Sequence, residues 1–363
     1  MRKPPVRLLA LSASLVLALI LAACGGSNGT GSTSSSKTIK VGLVTDTGGL
    51  NDKSFNHLAA VGLAKAASSG GICNVSGLSC SGQLGVQGDV VESHSNGDYV
   101  PNLTNYAVKN YDLVIGVGFL METAVGTVSG QFPHIHFAII DGVGTDDKGN
   151  DLKHPNVVGL LFKEQEAGAL VGTIAGVLEK DGKAPLNKNT IGSVGGVSIP
   201  PVNHYIAGYQ WAAKQVDPGI KTLNGYSNDF TDPTKCAGVA DNQINQGADI
   251  IFQVAGGCGN GALTQAGKRN VFSIGVDADQ SYVDSSVIAS ALKRVDVATY
   301  DAIQEVKNGS FQGGIQTFGL ANNGVGYQID HLSNPPSDLQ SALNNMISQI
   351  KSGAVTVPDT VGS

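Results

Sequence analysis

From residue 38 onward, short and nearly unbroken apolar runs alternate with longer segments in which apolar residues recur every three or four positions. The runs 39–45, 85–93, 113–117, 136–140, 157–162, 190–195, 250–254 and 271–276 predict β-strands. Several lack the in–out alternation of a half-exposed strand, as parallel strands covered on both faces should. The segments 52–68, 98–109, 122–131, 163–179, 201–215, 232–246, 259–269, 296–307 and 337–351 predict helices. A repeated β-α-β order with short connections predicts an α/β protein built on doubly wound parallel sheets. The strands are too many for one ordinary sheet, so two sheet domains are expected. Asn334-Pro335-Pro336 breaks the chain before the last helix.

Residues 1–23 follow another pattern. Arg2, Lys3 and Arg7 precede an apolar run from Leu8 to Ala23, which reads as a secretory signal peptide rather than a comfortable bilayer span. The run ends Leu21-Ala22-Ala23-Cys24, followed by Gly25 and Gly26. This resembles a bacterial lipobox, in which the cysteine is diacylated and becomes the mature N-terminus. An ordinary signal peptide with an incidental cysteine is the plainer alternative. Residues 24–37 are almost all Gly, Ser, Thr and Asn, a flexible tether of about 20 Å root-mean-square span. The expected location is therefore extracytoplasmic, at the membrane surface.

Composition narrows the function. Hydrophobic residues make up 41% of the 363, which excludes disorder for the chain as a whole. With a formal net charge of −6 and no Lys/Arg cluster, there is nothing to neutralise nucleic-acid phosphates. Charged residues are only 14% while 49 are glycine, which points to tight turns and close backbone approaches. Setting Cys24 aside leaves Cys73, Cys80, Cys236 and Cys258. In an exported chain these read as Cys73–Cys80 and Cys236–Cys258 disulfides, each closing a local loop for roughly 2–3.5 kcal/mol. Zinc is disfavoured because no C-x2-C or His-x3-His spacing occurs.

In open α/β sheets ligands sit beyond the carboxyl ends of the strands. The residues there are Asp46, Gly118 and Phe119, Asp141, the stretch 196–205, Gly256-Gly257 and Asp277. Any one of them alone reads as a strand terminator or helix cap. Together they resemble the basic membrane protein family of bacterial substrate-binding lipoproteins, whose best-understood type is the purine nucleoside receptor. The resemblance begins with Val44-Thr45-Asp46-Thr47-Gly48-Gly49-Leu50-Asn51-Asp52-Lys53-Ser54-Phe55-Asn56. It continues through Gly116-Val117-Gly118-Phe119, Phe137-Ala138-Ile139-Ile140-Asp141 and Lys163-Glu164-Gln165-Glu166-Ala167-Gly168. Gly195-Gly196-Val197-Ser198-Ile199-Pro200 with Tyr205-Ile206-Ala207-Gly208-Tyr209 follows, then Val254-Ala255-Gly256-Gly257. Ile274-Gly275-Val276-Asp277-Ala278-Asp279-Gln280 and Ala291-Leu292-Lys293-Arg294-Val295-Asp296 complete it, in family order.

The resemblance implies a type I periplasmic-binding fold: two lobes joined by three crossovers, with ligand in the cleft. The first lobe would take 38–150 plus 278–309 and the second 151–277 plus 310–363. It implies that Phe55 and Tyr205 sandwich a purine, with Tyr205 standing where Phe is usual. Asp141 would accept hydrogen bonds from the base edge, complemented by Asn56, while Asp46 would be either a polar contact or a cap. Asp277 and Lys293 would hold the ribose hydroxyls, and Gly256 with Gly257 would let the backbone approach. A monomer delivering purine nucleosides to the permease and ATPase of an ABC importer follows, with no cofactor or metal.

A signalling receptor of the same fold, presenting a sugar or autoinducer, is the alternative. An enzyme acting on nucleosides is disfavoured, since there is no G-x-S-x-G elbow between a predicted strand and helix, no H-E-x-x-H and no Walker lysine. The acidic stretch from Asp141 to Asp151 lacks EF-hand spacing. The lipobox is open to a direct test. Cys24→Ser should release or mislocalise the protein, and mass spectrometry of the wild-type N-terminal peptide should show acyl mass. A peptide without it would refute the anchor.

Overall fold

The computed structural model describes residues 38–362; the signal sequence, Cys24 and the tether lie outside the described residues. The strands are β1 (Lys40–Val44), β2 (Ala67–Ser69), β3 (Val86–Val91), β4 (Leu113–Val117), β5 (His136–Ile140), β6 (Val157–Phe162), β7 (Thr190–Gly195), β8 (Lys221–Tyr226), β9 (Ile250–Val254), β10 (Phe272–Asp277), β11 (Val287–Lys293), β12 (Gly314–Phe318) and β13 (Val325–Ile329). The α-helices are α1 (Phe55–Ala66), α2 (Tyr99–Val108), α3 (Glu122–Gln131), α4 (Glu164–Lys180), α5 (Pro200–Val216), α6 (Pro233–Asn245), α7 (Gly256–Lys268), α8 (Val295–Asn308) and α9 (Leu339–Ser352).

These strands form two sheets, β12-β6-β5-β4-β1-β3-β2 and β13-β11-β10-β9-β7-β8. All pairings are parallel except β11 with β13. Helices cover both faces of each sheet, as the two-sided apolar strands demand. In the first lobe α2 and α3 pack on one face through Tyr99, Leu103 and Val125, while α1 and α8 take the other. In the second, α6 and α7 enclose a cluster around Cys236, Cys258 and Ile251. Its opposite face is covered by α4, α5 and α9. Both expected disulfides are present, Cys73–Cys80 and Cys236–Cys258, with Cα separations of 5.2 and 5.6 Å.

The chain crosses between lobes three times, but not where the lobe boundaries were expected. β6 pairs with β5, so the first lobe runs to residue 162 rather than 150. β11 pairs with β10, so the second lobe runs to 293 rather than 277. β12 returns to β6, which puts 314–318 in the first lobe rather than the second. The crossings are therefore at 163, 294 and 319–324. Two of the shifts come from β11 and β12, which lie outside the predicted strands; the third comes from β6, a predicted strand whose pairing with β5 is a tertiary contact that its apolar run does not show. The hinge is tied internally, with Lys163 N donating to Phe318 O at 2.8 Å and Arg294 N to Gly324 O at 2.9 Å.

Helix packing in the second lobe depends on glycine. A Cβ on Gly208 of α5 would lie 2.0 Å from Gln165 O, and one on Gly172 of α4 would lie 2.2 Å from Tyr209 O. The two backbones therefore touch, and Tyr205 sits one turn from that contact. Gly208→Ala should force the helices apart and destabilise the protein by about 1–3 kcal/mol. Chemical denaturation measures this, and an unchanged midpoint would show that the contact is not tight.

Candidate functional site

An interlobe cleft of about 620 Å³, including its open mouth, lies beyond the carboxyl ends of both sheets. All eight residues proposed as ligand contacts line it: Asp46, Phe55, Asn56, Asp141, Tyr205, Gly256, Asp277 and Lys293. Asp52, Phe119 and Phe230 join them.

The first-lobe wall is organised by Asp52. This buried carboxylate accepts from the amides of Ser54 (3.0 Å), Asn56 (2.8 Å) and His57 (3.1 Å), the unpaired donors that open α1. It also accepts from Asn56 Nδ2 at 3.0 Å, while Asn56 Oδ1 accepts from Asp46 N at 2.8 Å. Most of the Asn56 amide is thus committed to bracing the wall, leaving one N–H for the base-complementing role expected of it. Asp46 accepts from Tyr99 OH and from Thr47 N, and burial raises the carboxyls of both Asp46 and Asp52. Phe55, fixed as the first residue of α1, presents its ring to the cleft.

Asp141 follows β5 and Asp277 ends β10, at matching positions in the two lobes. Both adopt left-handed backbone, φ 65° and 63°, a conformation that aspartate tolerates better than most residues. Lys293, 1% exposed at the end of β11, joins the lobes. Its Nζ lies 2.6 Å from Asp141 Oδ2 and 2.9 Å from Glu164 Oε1. It also lies 5.1 Å from the Phe55 ring centroid, 4.8 Å from that of Phe162 and 5.9 Å from that of Tyr205. The expected Asp277–Lys293 pairing is not direct. Asp277 Oδ1 instead accepts from Tyr205 OH at 3.0 Å, which gives that unusual hydroxyl its partner. The other oxygen of Asp141, Oδ1, is buried without a hydrogen-bond partner among the described residues.

Burial is the main force on every ionisable group here. It pushes Asp141 up to about 7 against the pull of Lys293, with Glu164 and Asp277 adding to the rise. It pushes Asp277 up to about 6, against Lys293 and the Tyr205 hydrogen bond. For Lys293, burial alone favours the neutral form, but Asp141, Glu164 and Asp277 together raise it. Glu164 ends below the usual range, because Lys293 and His204 outweigh its burial. The cleft therefore concentrates negative charge around one cation, and a phosphate group would be repelled. Among the described residues no group of three His, Cys, Asp or Glu is arranged to hold a metal.

Three residues escaped the reading of the sequence. Asp52 is the first residue of the predicted helix 52–68, whereas α1 begins at Phe55 and leaves Asp52 free to accept from its opening amides. Glu164 lay inside a quoted motif. Phe230 had no local signal: it follows β8, a strand that was not predicted, and its ring occupies space that a Cβ on Gly196 would fill, 2.3 Å from Phe230 Cε1.

The two-lobed fold with its interlobe cleft is that of periplasmic-binding-protein type solute-binding proteins. A solved ABC transporter solute-binding protein from Aeropyrum pernix K1 superposes with a TM-score of 0.75 at 28% identity, covering 88% of this chain and 94% of that one. The chain matches the family described as ABC transporter substrate-binding protein PnrA-like over residues 39–361, and belongs to it. An uncharacterized lipoprotein of Pyrococcus horikoshii is 36% identical, covering 86% of this chain and 75% of that protein. A Lactococcus lactis subsp. cremoris protein named ABC transporter nucleoside-binding protein BmpA is 30% identical, covering 97% of this chain and 99% of that protein. The basic membrane protein family that the motifs resembled is thus the chain's own, and its relatives are substrate-binding proteins and named lipoproteins.

The raised carboxyls set a pH dependence. Folded Asp141 and Asp277 hold protons more tightly than the unfolded chain, as does Glu179, which burial and Asp249 push to about 8. Their effect on stability is most favourable below the unfolded carboxylate range near pH 4. It declines as pH rises through about 6 to 8. The depressed Glu164 acts in the opposite sense, but only at more acidic pH. The ligand-free protein should melt roughly 2–6 °C higher at pH 5.5 than at pH 8.5. A higher melting temperature at pH 8.5 would contradict the sign.

Proposed function

We propose that this protein is a monomeric, lipid-anchored receptor that captures purine nucleosides in the interlobe cleft and delivers them to an ABC importer. One observation carries the reading. Asp141 lines the cleft together with Phe55, Tyr205 and Phe230, and of its two oxygens one holds Lys293 while Oδ1 is buried without a partner among the described residues. A purine offers flat faces for aromatic rings and, in guanosine or inosine, an N1–H suited to a carboxylate acceptor. Asp277 can accept from a vicinal diol through the oxygen that Tyr205 does not use. Lys293, with three N–H bonds and two carboxylate partners, retains a donor for a sugar hydroxyl. The absence of any phosphate counter-charge beyond Lys293 among the lining residues favours the nucleoside over the nucleotide. The name of the Lactococcus relative points the same way.

Calorimetric titration tests this. Inosine and guanosine should bind, with hypoxanthine, guanine and 2′,3′-dideoxyinosine markedly weaker. Phe55→Ala should weaken inosine by about 1–3 kcal/mol, roughly 5- to 150-fold. Tyr205→Phe should lower the preference for inosine over its dideoxy analogue, since it frees Asp277. Hypoxanthine binding as tightly as inosine would remove the ribose role, and binding of a sugar alone would replace the ligand class.

A further inference from the structure

Glu164 received no role from the sequence, yet it is 2% exposed and commits both carboxylate oxygens. Oε1 accepts from Lys293 Nζ at 2.9 Å, and Oε2 lies 3.1 Å from His204 Nδ1. It opens α4 directly after the first crossing, and Lys293 precedes the second. Its neighbour Glu166 accepts from Leu320 N at 2.7 Å, which binds the third crossing as well. The Glu164–Lys293 pair therefore links the hinge to the cleft.

The ammonium has three donors. Asp141 takes one and Glu164 a second, from opposite lobes, so the direction of the third is determined. Without an anionic acceptor at 164 the ammonium could turn its donors onto both oxygens of Asp141, taking up the one that has no partner among the described residues. We propose that Glu164 is a positioning residue. By anchoring Lys293 to the hinge, it aims the remaining N–H at the ligand and keeps Asp141 Oδ1 open.

The groups facing this cluster are Asp141 from β5, Asp277 from β10, Lys293 from β11, and His204 and Tyr205 from α5. Among them the negative charge of Glu164 favours the protonated form of Asp141. Removing that charge must therefore lower the pH at which Asp141 titrates. A residue that merely fills space would leave that pH unchanged.

The proposal rests on the nucleoside reading only for its binding probe. Glu164→Gln keeps the shape and removes the charge; Glu164→Asp keeps the charge but withdraws it by one methylene. Inosine affinity is measured by calorimetry from pH 5 to 8.5, and the Asp141 carboxyl 13C shift is followed in the ligand-free protein. Both variants should bind inosine about tenfold more weakly at pH 8, on the scale of one charge-assisted hydrogen bond. Only Gln should move the acid limb of binding, and the Asp141 titration, to lower pH. Wild-type affinity in either variant, or an unmoved Asp141 midpoint in Glu164→Gln, overturns the proposal. If the Gln variant does not fold, the affinity of Glu164→Asp decides alone. Wild-type protein that fails to bind inosine refutes the nucleoside reading instead, and the ligand-free titration still judges Glu164.

Discussion

A single buried ammonium governs how this cleft is put together. An unpaired charge in a protein interior costs several kcal/mol even after relaxation, so Lys293 can exist there only with close, well-directed anionic partners. The partners come from different parts of the architecture: Asp141 from the first lobe, Glu164 from the start of the second, at the hinge. Moving the lobes apart without a substitute would break the Asp141 contact and strand a charge. The electrostatics of the site and the geometry of the hinge are therefore one problem. The same cluster suits the proposed ligand, a neutral solute rich in donors, because its carboxylates outnumber its cations.

Sequence patterning reveals the framework of this fold better than its seams. All nine helices described were anticipated, and the central strands β4, β5, β6, β7 and β9 stand where their apolar runs predicted. The missed strands β2, β8, β12 and β13 are sheet edges, short or half-exposed, with polar residues that carry no strong pattern. β11 is central, but its Val287-Ile288-Ala289 run is short and is followed by Ser290, and its burial comes from tertiary packing. Because β11 and β12 flank crossings, two of the lobe boundaries move with them, while the first moves because the predicted strand β6 joins β5. The site was more legible, since strand ends carry family motifs that gather its residues. Pairings within it were not. Residues 141, 164 and 293 lie in separate motifs, and nothing in their spacing says which carboxylate meets the lysine.

The abundance of glycine is connected to the site as well as to turns. Along the α4–α5 contact, Gly168, Gly172 and Gly208 let two helix backbones meet. This holds α5 at a depth where Tyr205 reaches Asp277 while its ring lines the cleft. Across the first lobe Gly62 does the same for α1 and α8, with a Cβ there falling 2.4 Å from Asp296 O. Both helices that carry the proposed stacking rings are thus seated by backbone contact. Such contacts have little compliance, because packed interiors yield poorly to added volume.

Rigid seating of the walls and an electrostatically unsatisfied floor are complementary. The hydrophobic layers of each lobe can be optimised for stability, whereas Asp141 and Asp277 are kept in surroundings that resist their ionisation. A ligand that supplies N–H and O–H donors favours the ionised carboxylates and adds partners to both lobes at once. A ligand that bound the folded protein with these contacts would stabilise it in proportion to the logarithm of its concentration over Kd. A cleft whose polar atoms were already paired could be more stable alone, but would gain less from its ligand and would signal its occupancy less clearly to a membrane partner.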